Sequence, residues 1–243
     1  MSDLTFDKHS CYIDGEHFRF LAGDIHYFRI YPGGLRRRLA YMKAFGITVL
    51  QTYVPWNLHE PEKGVFCFDG LCDLEGFLKL AQEMGFKVML WISPFVSPDS
   101  QEYRFLRRKG YLVKNADGSA PAILDWWNGL SACYDFSNPE AFEYFTNILI
   151  GMQEEFGIDG FKLDECDSSD NTGSWSFPLS ARFPSGMDGE QYHSLFGVLY
   201  MQTMLDALGS AYASQILNAM KKDLDFDALM EKGDLLPINK WLN

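Results

Sequence analysis

No run of the chain reaches the ~18 uncharged apolar residues that a membrane-spanning helix requires, and the opening MSDLTFDKHS lacks the basic-then-apolar order of a secretory signal. A cytoplasmic location is the expectation. Basic residues are scarce: 21 Lys and Arg stand against 33 Asp and Glu, for a formal net charge of −12. Phosphate backbones and anionic bilayers are gripped by clustered cations, so neither nucleic acid nor membrane is expected as a partner. The two tight basic runs, Arg36–Arg38 and Arg107–Lys109, read as solvated helix faces. Cysteine is sparse as well. Cys11, Cys67, Cys72, Cys133 and Cys166 are odd in number and scattered, which fits reduced thiols rather than a disulfide framework. Cys67 and Cys72, with Asp69 and Asp73 beside them, lack the second Cys or His couple of a zinc site, so no metal and no other cofactor is expected. Three catalytic signatures are missing too: a Gly-rich phosphate loop, a Gly-x-Ser-x-Gly nucleophile elbow and a His-Glu-x-x-His zinc-protease motif.

What the chain has is a core and an unusual supply of aromatics. Hydrophobic residues make up 47% and charged ones 22% of 243 residues, with aromatics at 16%. That length suits one large domain, since α/β barrels run to about 250 residues. Strand and helix patterns alternate. FRFLAGDIHYF, ITVLQTYVPW, FKVMLWISPF and IDGFKLD read as strands. Between them, GGLRRRLAYMKAFG repeats Leu35, Leu39 and Met42 at helical spacing, and LEGFLKLAQEMG puts Leu74, Phe77, Leu78, Ala81 and Met84 on one face. PEAFEYFTNILIGMQEEFG sets Phe142, Phe145, Leu149, Met152 and Phe156 inward. Strands joined by helices of this length pair in parallel, and such sheets bind ligands beyond their strands' carboxyl ends. Residues 115–139 and 168–184 read as loop. Two further helices follow, GEQYHSLFGVLYMQTMLDALGS and AYASQILNAMKKDLDFDALMEKG, with Gly209-Ser210 as the seam. No convincing fifth to eighth strand is visible.

Polar and aromatic residues gather at the four strand ends: GDIHYFR, YVPWNLHEP, WISPF and LDECD. Aromatic faces stack on sugar C–H surfaces, while carboxylates and amides take the hydroxyls. Tyr27, Tyr53, Trp56, Trp91, Trp126 and Trp127 supply the first set; Asp24, His26, Asn57, Glu60 and Lys162 the second. Trp126 and Trp127 are adjacent, so both cannot face one core and one meets solvent or ligand. Glycoside hydrolysis needs an ionised carboxylate and a protonated one. Asp164 is the natural nucleophile, because Lys162 shares its side of the strand and holds it ionised. The bland alternative is that DECDSSD is a surface loop capping a helix, and that His26 and His59 are hydrogen-bonded structural histidines.

Residues 12 to 86 resemble glycoside hydrolase family 35, the β-galactosidase type. The likeness is carried by IDGEHFRFLAGDIHYFRI, QTYVPWNLHEPEKGVFCFDG and DLEGFLKLAQEMGF. It implies that Tyr53 lies in a sugar pocket, with Asn57 and Glu60 at the same strand end. Residues 87 to 208 are similar instead to family 31, the α-glucosidase and α-xylosidase type, through VMLWISPFVSPDS, RRKGYLVKN, ILDWWNG, ACYDFSNPEAFEYF and GIDGFKLDECDSSD. That likeness implies Asp164 as nucleophile, with Cys166 and Asp167 standing where the family has Gly and Glu. Residues 211 to 243 resemble the C-terminal segment of M32 carboxypeptidases, from which no activity carries over because the zinc motif is missing. Three likenesses in one chain imply a chimeric or designed mosaic.

The fold expected is α/β: a partial or remodelled (β/α)8 TIM-type barrel with parallel strands, spanning residues 1–208, and a helical C-terminal tail at 209–243 packing on it. The function expected is retaining hydrolysis of a galactoside, glucoside or xyloside, with Asp164 and Glu165 catalytic and Tyr53, Asn57, Glu60, Trp91, Trp126, Trp127, Lys162 and Asp167 binding the carbohydrate. Both families take acid/base residues from segments this chain lacks. The alternative is therefore an inactive sugar-binding or structural barrel fragment; a metallopeptidase reading rests on the tail alone. An incomplete barrel leaves sheet edges unpaired, so homo-oligomerisation or helical covering is expected.

Overall fold

The computed structural model describes residues 4–8, 10–126, 129–165, 177, 181 and 183–207. Its first three strands, β1 (Leu4–Phe6), β2 (Cys11–Ile13) and β3 (Glu16–Phe18), form a small sheet in that order. Asp14 and Gly15 both take positive φ, +52° and +81°, between β2 and β3. Asp-Gly in a two-residue loop is the turn chemistry of a tight hairpin.

Strand β4 (Ala22–Asp24) leads to helix α1 (Leu35–Ala44), then β5 (Val49–Thr52), the short α2 (Trp56–His59), α3 (Leu74–Glu83) and β6 (Lys87–Ile92). Strand β7 (Phe95–Val96), helix α4 (Gln101–Lys109), strands β8 (Leu124–Trp126) and β9 (Gly129–Cys133), helix α5 (Pro139–Phe156), strand β10 (Gly160–Leu163) and helix α6 (Gly189–Ala207) complete the described order. The helix starts are written in the sequence. The Asp73 carboxylate accepts from Gly76 N–H at the head of α3, the Ser100 hydroxyl from Tyr103 N–H at the head of α4, and the Asn138 amide oxygen from Glu140 N–H, with Pro139 between them, at the head of α5.

By contact the chain divides into two compact units. One comprises residues 18–93 and 148–164. It holds a parallel sheet ordered β10-β6-β5-β4, the arrangement expected of successive strand-helix-strand units. Apart from Val49, buried at the start of β5, burial through these strands alternates with period two. Leu50, Thr52, Val88, Leu90 and Phe161 are buried on one face, where a side chain at Gly23 would run into Met42 of α1 and Ile47. Gln51, Met89, Trp91 and Lys162 lie half-buried on the other. The strand starts are tied by Asp159, whose carboxylate accepts from Lys87 Nζ at 2.8 Å and from Val88 N–H at 2.9 Å.

The other unit comprises residues 1–17, 94–147 and those from 165 on. Here β9 pairs antiparallel with both β7 and β8. Its core is aromatic: Tyr134, Phe136, Phe145, Phe177, Phe183, Tyr192, Phe196 and Tyr200 are all buried and touch ring to ring. Tyr192 threads a hydroxyl through it, accepting from Phe136 N–H at 2.9 Å and donating to Tyr134 C=O at 3.0 Å.

Several expectations need correction. Of the stretch FRFLAGDIHYF, only Ala22–Asp24 joins the parallel sheet, and Tyr27–Arg29 turns as a 3₁₀ helix so that Tyr27 can stack on Phe77 at 5.4 Å. The region read as loop between residues 115 and 139 contains the β8-β9 pair, whose strands are too short for a period to declare itself. Phe156, placed on the inner face of α5, is exposed in its last turn. The four predicted parallel strands all form, whereas the six further strands among the described residues join antiparallel sheets or the N-terminal hairpin sheet. The tail, 209–243, lies outside the described residues, and a closed barrel is not seen among those described.

Tyr192→Phe is expected to lower stability by about 1–3 kcal/mol, because the buried Phe136 N–H and Tyr134 C=O lose their shared partner while ring packing persists. A urea denaturation midpoint unchanged from the parent would contradict this.

Candidate active site

The register of the parallel sheet builds the site. Lys162 is paired with Trp91, Thr52 with Leu90, and Asp24 with Gln51. Continued by one or two residues, those pairings put Lys162, Trp91, Tyr53 and His26 in a single row across the strands' carboxyl ends. Because side chains alternate, the row shares one face with Asp164, two residues beyond Lys162. The ring contacts bear this out: Trp91 and Tyr53 are 5.3 Å apart between centroids, Tyr53 and His26 4.8 Å, and His26 and Phe28 5.4 Å.

Asp164 ends the β10 ladder, its N–H donating to Ile92 C=O at 3.1 Å. Two donors converge on its Oδ2: Lys162 Nζ at 2.8 Å and Trp91 Nε1 at 2.5 Å. Both are charge-assisted bonds to a carboxylate, the kind that favours its ionised form. On the lysine side, partial burial disfavours the ammonium, but the hydrogen bond and charge of Asp164, with Tyr53 and Asp24 adding to them, prevail and hold the Lys162 pKa above its ordinary value. The pair is about one-third exposed, so its worth lies in placement and charge state rather than in stability.

His26 differs from the expectation of a fully bonded structural histidine, since its Nδ1 is buried with no hydrogen-bond partner among the described residues. Burial, followed by the charge of Arg29, pushes its pKa down against the opposing pull of Asp24. The imidazole is thus kept neutral. His59 fits the structural reading. It is fully buried, lies 2.5 Å through Nε2 from the Tyr27 hydroxyl, and 2.9 Å through Nδ1 from Cys67 C=O. A carbonyl only accepts, so Nδ1 carries the proton and Nε2 accepts from Tyr27.

Glu60 is committed to its own loop. Its carboxylate accepts from Gly64 N–H at 2.8 Å and from Trp56 Nε1 at 2.7 Å, and these bonds hold its pKa below the ordinary value, Gly64 contributing most. A carboxylate so held serves as a hydroxyl acceptor and poorly as a proton donor. Asn57 is exposed on α2. Glu165 takes a left-handed backbone, φ +60°, and is the first residue of the other unit. Trp126 ends β8 in that other unit, while Trp127 and Asp167 lie outside the described residues. The sequence reading did not single out Gln51 and Met89, although their position two residues before Tyr53 and Trp91 places them on the same face. No group of His, Cys, Asp and Glu among the described residues is arranged to hold a metal ion, and no described helix is long and apolar enough to cross a membrane.

Comparison with known proteins bears on both halves of the sequence reading. The family described as glycosyl hydrolases family 35 matches residues 10–102. Beta-galactosidase of Felis catus is 38% identical over 121 residues, covering 48% of this chain and 18% of that protein. Beta-galactosidase 17 of Arabidopsis thaliana is 46% identical over 83 residues, covering 34% and 12%. The chain therefore spans less than a fifth of either relative. Among solved structures, a cycloalternan-forming enzyme from Listeria monocytogenes superposes with TM-score 0.61 at 19% identity, over 77% of this chain and 20% of that one. A GH31 dextranase from Flavobacterium johnsoniae gives 0.58 at 18%, over 77% and 23%. Sequence likeness thus lies with family 35 in the N-terminal part, and the likeness to the two solved structures is one of fold. Nothing in these comparisons bears on the carboxypeptidase-like tail.

His26 is expected to titrate below about 6.5, the ordinary histidine value. Being neutral in the folded chain, it costs stability as pH falls through the unfolded-state value. Arg29→Gln should move its titration upward in a proton NMR series; no upward movement would remove Arg29 as a cause.

Proposed function

We propose that the chain is a glycoside hydrolase whose sugar site lies on the half-exposed face of the parallel sheet, at the strands' carboxyl ends. One observation carries the reading: a single carboxylate oxygen of Asp164 receives both Lys162 Nζ and Trp91 Nε1, beside the Tyr53 ring. An ionised carboxylate next to aromatic faces is what nucleophilic attack on a sugar's anomeric carbon requires. The sequence relatives named beta-galactosidase and a fold neighbour named as a GH31 dextranase support the same class.

In this reading Asp164 is the nucleophile of a retaining mechanism. Lys162 and Trp91 hold it ionised and oriented, and Tyr53 offers a stacking face. Glu165 is assigned the acid/base role from its place beside Asp164 in the sequence. It would protonate the leaving oxygen and then deprotonate the water that releases the sugar. Asn57 and Glu60 are assigned to hydroxyls. The four-stranded sheet is an arc of a (β/α) barrel, so its half-exposed face corresponds to a barrel interior. The substrate is a galactoside, glucoside or xyloside.

A second reading, a sugar-binding scaffold without turnover, draws on Glu60. The carboxylate that follows β5 is held ionised by Gly64 and Trp56, which leaves it unsuited to be the acid.

Hydrolysis of a panel of α- and β-linked aryl glycosides by the full chain tests the proposal, with Asp164→Asn alongside. The variant should lose turnover by about three orders of magnitude or more, because the covalent step is removed. A 2-fluoro-sugar trap should leave its adduct on Asp164. Lys162→Met should lower kcat while sugar binding persists. Sugar binding with neither turnover nor adduct, in folded protein, would establish the scaffold instead.

A further inference from the structure

Away from the Asp164 site, two cysteines converge on one turn. Cys67 is bound to His59 twice, through its N–H to His59 C=O at 2.8 Å and through its own C=O to His59 Nδ1 at 2.9 Å. The thiol of Cys72 points at the neighbouring residue, donating to Leu58 C=O at 3.6 Å. Asp69 ties them from the other side: its carboxylate accepts from the Cys67 thiol at 3.4 Å, and its C=O accepts from Cys72 N–H at 2.8 Å. Both are free thiols; Cys67 is half-buried and Cys72 is buried.

We propose that Cys67 and Cys72 form a reversible dithiol-disulfide site that takes a low-molecular-weight disulfide such as oxidised glutathione as its oxidant. Nothing in the hydrolase reading uses either thiol. The steps balance as ordinary exchange. Cys67, the more exposed, attacks one sulfur of glutathione disulfide as its thiolate, forming a mixed disulfide and releasing one glutathione thiolate. Cys72 then attacks the Cys67 sulfur, closing the intramolecular bridge and releasing the second. The cysteine pair loses two electrons and two protons, and one glutathione disulfide becomes two glutathiones.

The order of attack follows from surroundings. Burial, followed by the Cys67 thiol and by the charge of Asp69, keeps the Cys72 pKa above its ordinary value, so Cys72 rests as the thiol and acts second. The bridge closes a six-residue loop, 67 to 72, that carries Phe68 with its ring 4.8 Å from that of His59. Cys67 and Cys72 both lean on the adjacent residues His59 and Leu58, so the turn draws both ends of this loop to the same short stretch of chain. The loop's backbone bonds to His59 survive it.

The sequence supplies a clean readout, because cleavage after Lys63 and Lys79 leaves both thiols in one peptide, residues 64–79. The full chain is treated with oxidised glutathione at neutral pH, alkylated, digested and weighed. Native protein should yield peptide 64–79 two hydrogen masses light, unalkylated and without glutathione, and a reductant should restore it. Closure should be at least several-fold faster in native protein than in chain unfolded in urea. Cys72→Ser should instead accumulate one glutathione on Cys67. A lasting glutathione adduct on the native parent, unreacted thiols, or closure no faster in folded than in unfolded chain would each overturn the proposal. The comparison of folded and unfolded parent needs no variant, so a Cys72→Ser chain that fails to fold leaves the test standing.

Discussion

The parallel register of four strands is the constraint from which the candidate site follows. Once Lys162 is opposite Trp91 and Thr52 opposite Leu90, the period of two leaves no choice about which side chains meet. Lys162, Trp91 and Tyr53 must share a row, and Asp164 must stand above the first of them. A one-residue slip of β10 would turn Phe161 into the open face and bury the ammonium of Lys162 against the helices. The buried face makes that slip costly, since Leu50, Val88, Leu90 and Phe161 would lose their apolar surroundings together. Packing on one face thereby enforces chemistry on the other.

Four carboxylates near the strand ends show how environment separates residues of one type. Asp159, at the start of β10, is consumed by Lys87 and Val88 and pins two strands in phase. Glu60 is consumed by its own loop through Gly64 and Trp56. Asp24 makes itself felt through charge alone, favouring protonation of both Lys162 and His26. Only for Asp164 do a lysine and an indole N–H meet on one oxygen beside aromatic rings. Proximity to a cation marks Asp159 as much as Asp164, so charge pairing by itself does not identify a site. Position along the strand does.

How much of this was legible in sequence depended on how far each feature reaches along the chain. Helices α1, α3, α5 and α6 declare themselves through apolar spacing over ten residues or more, the four parallel strands through short apolar runs standing between such helices, and all of them form. The Lys162–Asp164 bond was legible too, because two residues apart on a strand means one face. The indole of Trp91 reaching Asp164 was not, because it depends on the register between β6 and β10, 73 positions apart in sequence. Short elements escaped for a different reason. Strands β1–β3 and β7–β9 run two to five residues each and, unlike the equally short β4 and β10, stand outside the strand-helix-strand alternation that flags a strand. The end of β4 was misjudged because Ile25 and Tyr27 continue an apolar alternation whose second member turns away to cover Phe77 and His59.

The residues just after β5 illustrate how one apolar stretch serves both fold and surface. Tyr27 and Phe68 pack around His59, whose two ring nitrogens face a phenol and a backbone carbonyl. Trp56, Phe66 and Phe68 meanwhile remain about half exposed around the same histidine. Trp56 is nonetheless not loose, since its N–H is spent on Glu60 and Glu60 is spent on Gly64. The loop is thus organised by a short chain of donors, Tyr27 to His59, His59 to Cys67 and Trp56 to Glu60. Each donor has a single polar task, which leaves the aromatic faces as the part of the loop still open to solvent.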